Sequence, residues 1–173
     1  MTRTLGLIIA DSLKLSLSYA ERLRKDIPDD RFARFALGRD GLVESNHAAF
    51  VFGHLSLYPA RILKELGKAP QPAPENFMSV FSKDAKCVDD PEGKIYPGAE
   101  AITSYFFGGY RAVLEVLPEV SNEILEQPNP LGGPMAEKFP TMGSMHNFYV
   151  GGHMMLHLGQ LSAWRRMFAM PPA

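Results

Sequence analysis

The segment of residues 47–63, HAAFVFGHLSLYPARIL, is apolar on nearly every side of the helix that its spacing predicts. A helix of this kind buries all of its faces, so we expect it at the centre of a helical core rather than at the edge. Ser45 or Asn46 is the expected N-cap, and Gly67 follows Leu66 as the first residue beyond the C-terminal end.

Pro59 interrupts this central helix. Proline has no N–H to donate, and its ring collides with the preceding turn. We therefore expect a kink just after His54, where the carbonyl of Leu55 loses its usual backbone donor.

Three other segments have helical periodicity, and two proline-rich stretches separate the later helices. Polar residues recur every three or four positions in the first segment, which leaves a wide apolar side. The expected helices run from Thr4 to Ile27, from about Pro97 to Leu117, and from Thr141 or Ser144 to about Phe168, with irregular stretches at 67–96 and 118–140. This pattern predicts an all-α fold, a four-helix bundle with two long crossover connections, in a single domain over residues 1–173.

The 67–96 stretch is long for a connection inside a domain, and loops of this length are often lids or binding loops. A short helical turn around Phe77, Met78 and Phe81 is expected to pin it to the core.

Composition excludes several classes of protein. Eighteen Lys and Arg balance nineteen Asp and Glu, so the chain lacks the basic excess of a nucleic-acid binder. The single Cys87 cannot form an internal disulfide, and no apolar run approaches the roughly 18 residues of a membrane span. The N-terminal apolar run ends too early for a signal peptide, so we expect a cytoplasmic protein without nucleic-acid or membrane partners.

All five histidines fall in the second and fourth predicted helices. His153 and His157 are four residues apart, which places both rings on one helix face, about 6 Å from each other. This spacing suits two ligands of one metal ion. His54, in the apolar central helix, is the candidate third ligand; alternatively, it is a core residue that bonds a backbone carbonyl or a carboxylate.

His47 lies seven residues before His54, about 10 Å along the helix axis, so the two cannot join the same ion. His47 is either a residue of the helix start or part of a pocket wall, and His146 has the same alternatives in the fourth helix. Gln160 continues the face of His153 and His157, either as a partner of a metal ligand or as an amide bonded to backbone.

Arg61 lies seven residues after His54, where it either binds a carboxylate of a substrate or thiol cofactor or is exposed or ion-paired. Cys87 lies among mixed charges that provide no clear cause for a lowered pKa, so it is not expected to be a nucleophile. Tyr58 is expected to be a core aromatic, and the dipole of the fourth helix together with solvation accounts for Arg165.

Two glycine pairs, Gly108–Gly109 and Gly151–Gly152, lie inside predicted helices, where glycine is unfavourable. Close approach of the third and fourth helices would account for both pairs, and a dimer contact is the other option.

Two stretches, NHAAFVFGHLSLYPARIL and HMMLHLGQLSAWRRM, resemble the DinB-like metal-binding four-helix bundles. The most specific element is His-x3-His-x-Gly-Gln, formed by His153, His157, Gly159 and Gln160, and the resemblance extends over most of the chain in helix order and loop placement. It implies that His54, His153 and His157 bind a divalent metal. Members of this superfamily include maleylpyruvate isomerase and transferases that use mycothiol, bacillithiol or glutathione, alongside members without known activity. Together with the glycine pairs, the resemblance indicates a homodimer.

Three neutral imidazoles with open coordination positions form a catalytic type of metal site. Nitrogen ligands suit zinc, nickel, copper or iron, and cellular availability makes zinc the first choice, with nickel or iron as alternatives. Such an ion lowers the pKa of a water or a low-molecular-weight thiol, or polarises a carbonyl.

We therefore expect a metal-dependent enzyme that transfers a small thiol or hydrolyses a small-molecule substrate, which enters beneath the 67–96 loop. Two alternatives are a non-catalytic metal-binding or stress-response protein, and a structural bundle whose histidines are hydrogen-bonded core residues.

Overall fold

Helices make up about 60% of the protein in a computed structural model that describes residues 3–173, which confirms the all-α class. A two-stranded antiparallel hairpin, β1 (Ala36–Gly38) and β2 (Gly41–Val43), was not expected from the sequence. The helices are α1 (Leu5–Arg24), α2 (Ala48–Ser56), α3 (Tyr58–Glu65), α4 (Phe77–Phe81), α5 (Ala99–Val116), α6 (Asn122–Leu125), α7 (Gly133–Lys138), α8 (Met142–Asn147) and α9 (Met154–Met167), with 3-10 turns at Asp29–Arg31 and Leu117–Glu119.

The apolar helix α2 lies at the centre of the core, as its composition predicts. Every one of its residues is buried, and it packs against α4, α5 and α9. Its N-cap is His47 rather than Ser45 or Asn46, because the His47 Nδ1 accepts from the Phe50 N–H at 3.2 Å.

Leu57 separates α2 from α3, so the helix is interrupted before Pro59, three residues later than the position expected just after His54. The freed carbonyl of Leu55 accepts a hydrogen bond from the buried Tyr110 hydroxyl at 3.0 Å, so this polar group is satisfied inside the core. Gly67 follows α3 with a φ of 71°, in the left-handed conformation expected of the residue after a helix.

Phe77 and Phe81 of α4 pin the 67–96 segment to the core, as predicted, whereas Met78 is exposed. The Phe81 ring lies against the backbone of Gly53, where an added Cβ would fall 2.4 Å from the ring. This part of the segment is therefore integrated into the core.

The later part of the same segment is held by Asp90. Its carboxylate accepts from the backbone N–H groups of Lys94, Ile95 and Tyr96 at 2.9–3.1 Å. Burial raises the pKa of Asp90, but the backbone donors outweigh it, so the pKa is lower than usual.

Arg165 is buried, with 3% of its surface exposed, which corrects the expectation of a solvated residue. Its guanidinium donates to the carbonyls of Leu23 and Lys25 at 2.7 and 2.6 Å and to that of Pro171 at 3.0 Å. These bonds join α9 to the C-terminal end of α1, where carbonyls lack helical partners.

The last long helix is not uniform. A π-helical turn, Phe148–His153, lies between α8 and α9. Thr141 is the N-cap of α8 and exchanges hydrogen bonds with Ser144, the third residue of that helix. The turn contains Gly151 and Gly152, a feature that the sequence did not predict.

The glycine pairs do not mark close approach of the third and fourth long helices. Gly109 faces Pro59 of α3, Gly151 faces Ser12 of α1, and the position of a Gly108 Cβ has no neighbouring atom within 4 Å among the described residues. Of the helices in residues 3–173, none has the length and apolar character needed to cross a membrane.

Candidate metal centre

Three histidines from two distant parts of the chain converge. His54 lies on α2, His153 ends the π-helical turn, and His157 lies on α9. The ring centroids are 4.7 Å apart for His153 and His157, 4.9 Å for His54 and His157, and 5.5 Å for His54 and His153. One nitrogen from each ring lies within 4.8 Å of the other two, so the residues selected from the sequence are close enough to hold an ion.

Hydrogen bonds determine which nitrogen is free on two of the rings. The Nδ1 of His54 is 2.9 Å from the Phe81 carbonyl, which can only accept, so Nδ1 carries the proton and Nε2 keeps its lone pair. The Nδ1 of His157 donates in the same way to the Oε1 of Gln160 at 2.9 Å. For His54, the backbone-carbonyl bond expected of a core histidine is therefore present, and it leaves Nε2 unprotonated.

His153 differs from the other two rings. Its Nδ1 is buried and has no hydrogen-bond partner among residues 3–173. An unpartnered buried nitrogen of this kind costs about 1–3 kcal/mol.

Electrostatics keep the three rings neutral. Burial lowers the pKa of His54, and burial together with the neighbouring rings lowers that of His157 and takes that of His153 to about 3. At neutral pH the cluster therefore presents lone pairs instead of positive charges.

The cluster fits a divalent ion with nitrogen ligands. Zinc–nitrogen bonds of about 2.0–2.1 Å in tetrahedral geometry separate two ligand atoms by about 3.4 Å, so nitrogens that lie up to 4.8 Å apart would need to approach by up to about 1.4 Å. His153 and His157 are half-buried, so the cluster is partly exposed to solvent. Three ligands and an open side are typical of catalytic sites.

Tyr58 borders the cluster, although the sequence identified it only as a core aromatic. Its hydroxyl is 3.2 Å from the His54 Nε2, and its ring centroid is 4.6 Å from that of His153. Since Nε2 carries no proton, the hydroxyl donates this bond. Burial raises the pKa of Tyr58, as does Tyr149, so the phenol is protonated at neutral pH. Its position four residues after His54 was the available signal.

A line of polar contacts lies beside the cluster, between α3 and the last long helix. Arg61 donates to the Tyr149 hydroxyl at 3.3 Å and lies 3.7 Å from the carboxylate of Glu65. Glu65 in turn bonds the Nε2 of the fully buried His146 at 2.7 Å. Arg61 is therefore half-exposed and ion-paired, and the sequence did not predict its partners.

Gln160 links the cluster to a surface groove. Its Oε1 also accepts from the Nδ2 of Asn46 at 2.9 Å, so it bonds a side chain and not backbone. The groove beyond it has a volume of about 330 Å³ and is lined by Glu44, Ser45, Asn46, Gln160, Ala163 and Met167.

His47 and Cys87 lie outside the cluster. The Nε2 of His47 bonds the Val88 carbonyl at 2.9 Å, so His47 is a helix-start residue and not a pocket wall. Burial raises the pKa of Cys87 to about 11, which keeps it a thiol at neutral pH and agrees with its exclusion as a nucleophile.

Comparisons of this chain with protein-family models, curated proteins and solved structures gave no match. The assignment of chemistry to this site therefore depends on the residues themselves.

Proposed function

We propose that this protein is a metal-dependent enzyme of the DinB-like type, in which His54, His153 and His157 hold a divalent ion. Zinc is the preferred ion, with nickel or iron as alternatives. The supporting observation is that three neutral imidazoles from two distant parts of the chain bring one ring nitrogen each within 4.8 Å of one another.

The proposal includes the architecture. The four long helical segments of a bundle would be α1, α2 with α3, α5, and residues 142–167, joined in part by the long connections 67–96 and 118–140. The contacts of α1 with α5 and α9, and of α2 with the same two helices, support this arrangement.

When bound, the ion would lower the pKa of a water or thiol, or polarise a substrate carbonyl, and so support transfer of a small thiol or hydrolysis of a small molecule. The chain's own residues orient the ligands: the Phe81 carbonyl fixes the His54 ring, and Gln160 fixes the His157 ring. The Cys87 thiol donates a hydrogen bond to the Ser45 carbonyl at 3.8 Å and lies outside the histidine cluster. The thiol in this proposal is therefore a separate small molecule.

Metal content of untagged protein, measured by plasma mass spectrometry, tests the proposal. We expect about one equivalent in the wild type and little in His157→Ala. The matched control is His47→Asn, since asparagine also caps helices and His47 lies outside the cluster. Wild-type protein that takes up no added zinc, nickel or iron would refute the proposal.

A non-catalytic metal-binding or stress-response protein would use the same ligands but close the site to small molecules. The half-burial of His153 and His157 favours access. Cobalt-substituted protein distinguishes the two functions: a thiol should change the visible spectrum of an enzyme of this type and leave that of a closed site unchanged.

A further inference from the structure

The Tyr58 hydroxyl has a single hydrogen-bond partner among residues 3–173, the Nε2 of His54 at 3.2 Å. That nitrogen is also the only one that His54 can offer to an ion, because its Nδ1 donates to the Phe81 carbonyl. One lone pair cannot serve both. An ion at the cluster would therefore deprive a half-buried hydroxyl of its acceptor, and such a hydroxyl needs a replacement.

We infer that Tyr58 is a ligand-positioning residue, whose hydroxyl donates a hydrogen bond to an anionic sulfur or oxygen atom that occupies the open side of the histidine cluster. This inference rests on the proposed metal site. It deepens that proposal by identifying a group of the chain that favours anionic over neutral ligands.

The surroundings of Tyr58 support this role. Its ring centroid lies 4.6 Å from that of His153 and 5.3 Å from that of His54, so the Tyr58 side chain borders two of the three candidate ligands. The ring of Tyr149 lies near that of Tyr58, with centroids 4.8 Å apart, but the Tyr149 hydroxyl already accepts from Arg61. Only one of these two neighbouring phenols therefore loses its partner when the cluster binds an ion.

The position of Tyr58 depends on the interruption of the helix between α2 and α3. Ser56 ends α2, Leu57 lies between the two helices, and Tyr58 begins α3. Pro59 packs against Gly109 of α5, with a Cβ built on that glycine falling 3.0 Å from the proline ring. This contact fixes the helix start, and it holds the phenol in place before any ligand arrives.

The experiment compares Tyr58→Phe with the matched control Tyr149→Phe and the wild type, all loaded with cobalt. The visible spectrum is titrated in separate arms with azide, as a small anion, and with 2-mercaptoethanol, which binds through sulfur. We expect Tyr58→Phe to retain cobalt with equal or higher affinity, since the competing hydrogen bond to His54 is gone. Its affinity for azide should fall about tenfold, the effect of losing one charge-assisted hydrogen bond.

The 2-mercaptoethanol arm tests whether sulfur is positioned in the same way, and a similar loss in Tyr58→Phe supports the inference for thiols. Equal azide affinity in Tyr58→Phe and wild type, with cobalt bound in both, would overturn this inference and leave the metal site standing. A large loss of cobalt in Tyr58→Phe would overturn it differently, by showing that Tyr58 is itself a ligand. Wild type that binds no cobalt would overturn the metal site as well.

Discussion

Gln160 provides a quantitative test of the proposed site. Its Oε1 accepts from the Nδ1 of His157 and from the Nδ2 of Asn46, both at 2.9 Å. The first bond holds the His157 ring in the tautomer whose Nε2 lone pair is free. Replacing Gln160 by alanine removes this acceptor and leaves all three candidate ligands unsubstituted.

Loss of an outer partner of this kind usually weakens metal binding about 10- to 100-fold. Gln160 is exposed, so water can replace part of the bond, and we expect Gln160→Ala to lose about tenfold in zinc affinity. Asn46→Ala removes only the more distant bond and should lose less than about threefold. Gln160→Glu should gain affinity, because a carboxylate accepts a stronger hydrogen bond and makes the imidazole more basic.

Competition with a chromophoric zinc chelator at pH 7.5 measures all four affinities under the same conditions. The order expected from tightest to weakest is Gln160→Glu, wild type, Asn46→Ala and Gln160→Ala. Gln160→Ala with wild-type affinity, or Gln160→Glu with lower affinity, would refute the reasoning, because His157 would then bind without this bond or in the other tautomer.

Three further predictions concern stability, each measured by urea unfolding followed by far-ultraviolet circular dichroism. Gly53→Ala should lower the free energy of unfolding by about 1–3 kcal/mol, because the added Cβ would overlap the fully buried Phe81 ring. Gly108→Ala should raise it by up to about 1 kcal/mol, because the added Cβ meets no neighbouring atom. Equal effects of the two substitutions would contradict the close contact between Gly53 and Phe81. Arg165→Ala should lower the free energy of unfolding by about 1–3 kcal/mol, because the buried carbonyl of Leu23 loses its partner. The exposed Arg166→Ala should change it by less than about 0.5 kcal/mol. The lowered pKa of Asp90 stabilises the fold above the unfolded-state pKa of about 4, and this contribution is lost as the pH falls through the folded-state pKa. Asp90→Asn should therefore be less stable than wild type at pH 7, with a smaller loss of stability on acidification below pH 4; parallel pH profiles would contradict this.

The main helices could be predicted because their signals are local. Apolar periodicity located the long segments, Pro59 located the kink, and Gly67 located the end of α3. The N-cap could not be predicted, since His47 caps α2 only because the distant Val88 carbonyl holds its other nitrogen. The buried role of Arg165 likewise depends on where α1 ends, which the sequence around residue 165 does not reveal.

The three histidines of the site could be selected from spacing and resemblance, but their partners could not. Phe81 bonds His54 from a connection 27 residues away, and Glu65 pairs with His146 across 81 residues. The π-helical turn between α8 and α9 also changes the alignment of faces along the last helix. Counting in steps of four residues across the whole of this turn therefore fails. From the last residue of the turn, His153, into α9, the same counting correctly groups His153 with His157.

The polar atoms of the cluster fit a ligand site better than a structural core. If the histidines served only packing, each buried nitrogen should have a protein partner, as most buried polar groups do. The Nδ1 of His153 has none among the described residues, and the Nε2 of His54 has only the hydroxyl of Tyr58. The Nδ1 of His146 is also unpartnered, but that ring has a charged partner in Glu65 and no neighbouring imidazole directed at the same point. Convergence of three ring nitrogens within 4.8 Å, rather than burial alone, therefore distinguishes the proposed site from the remaining histidines of the chain.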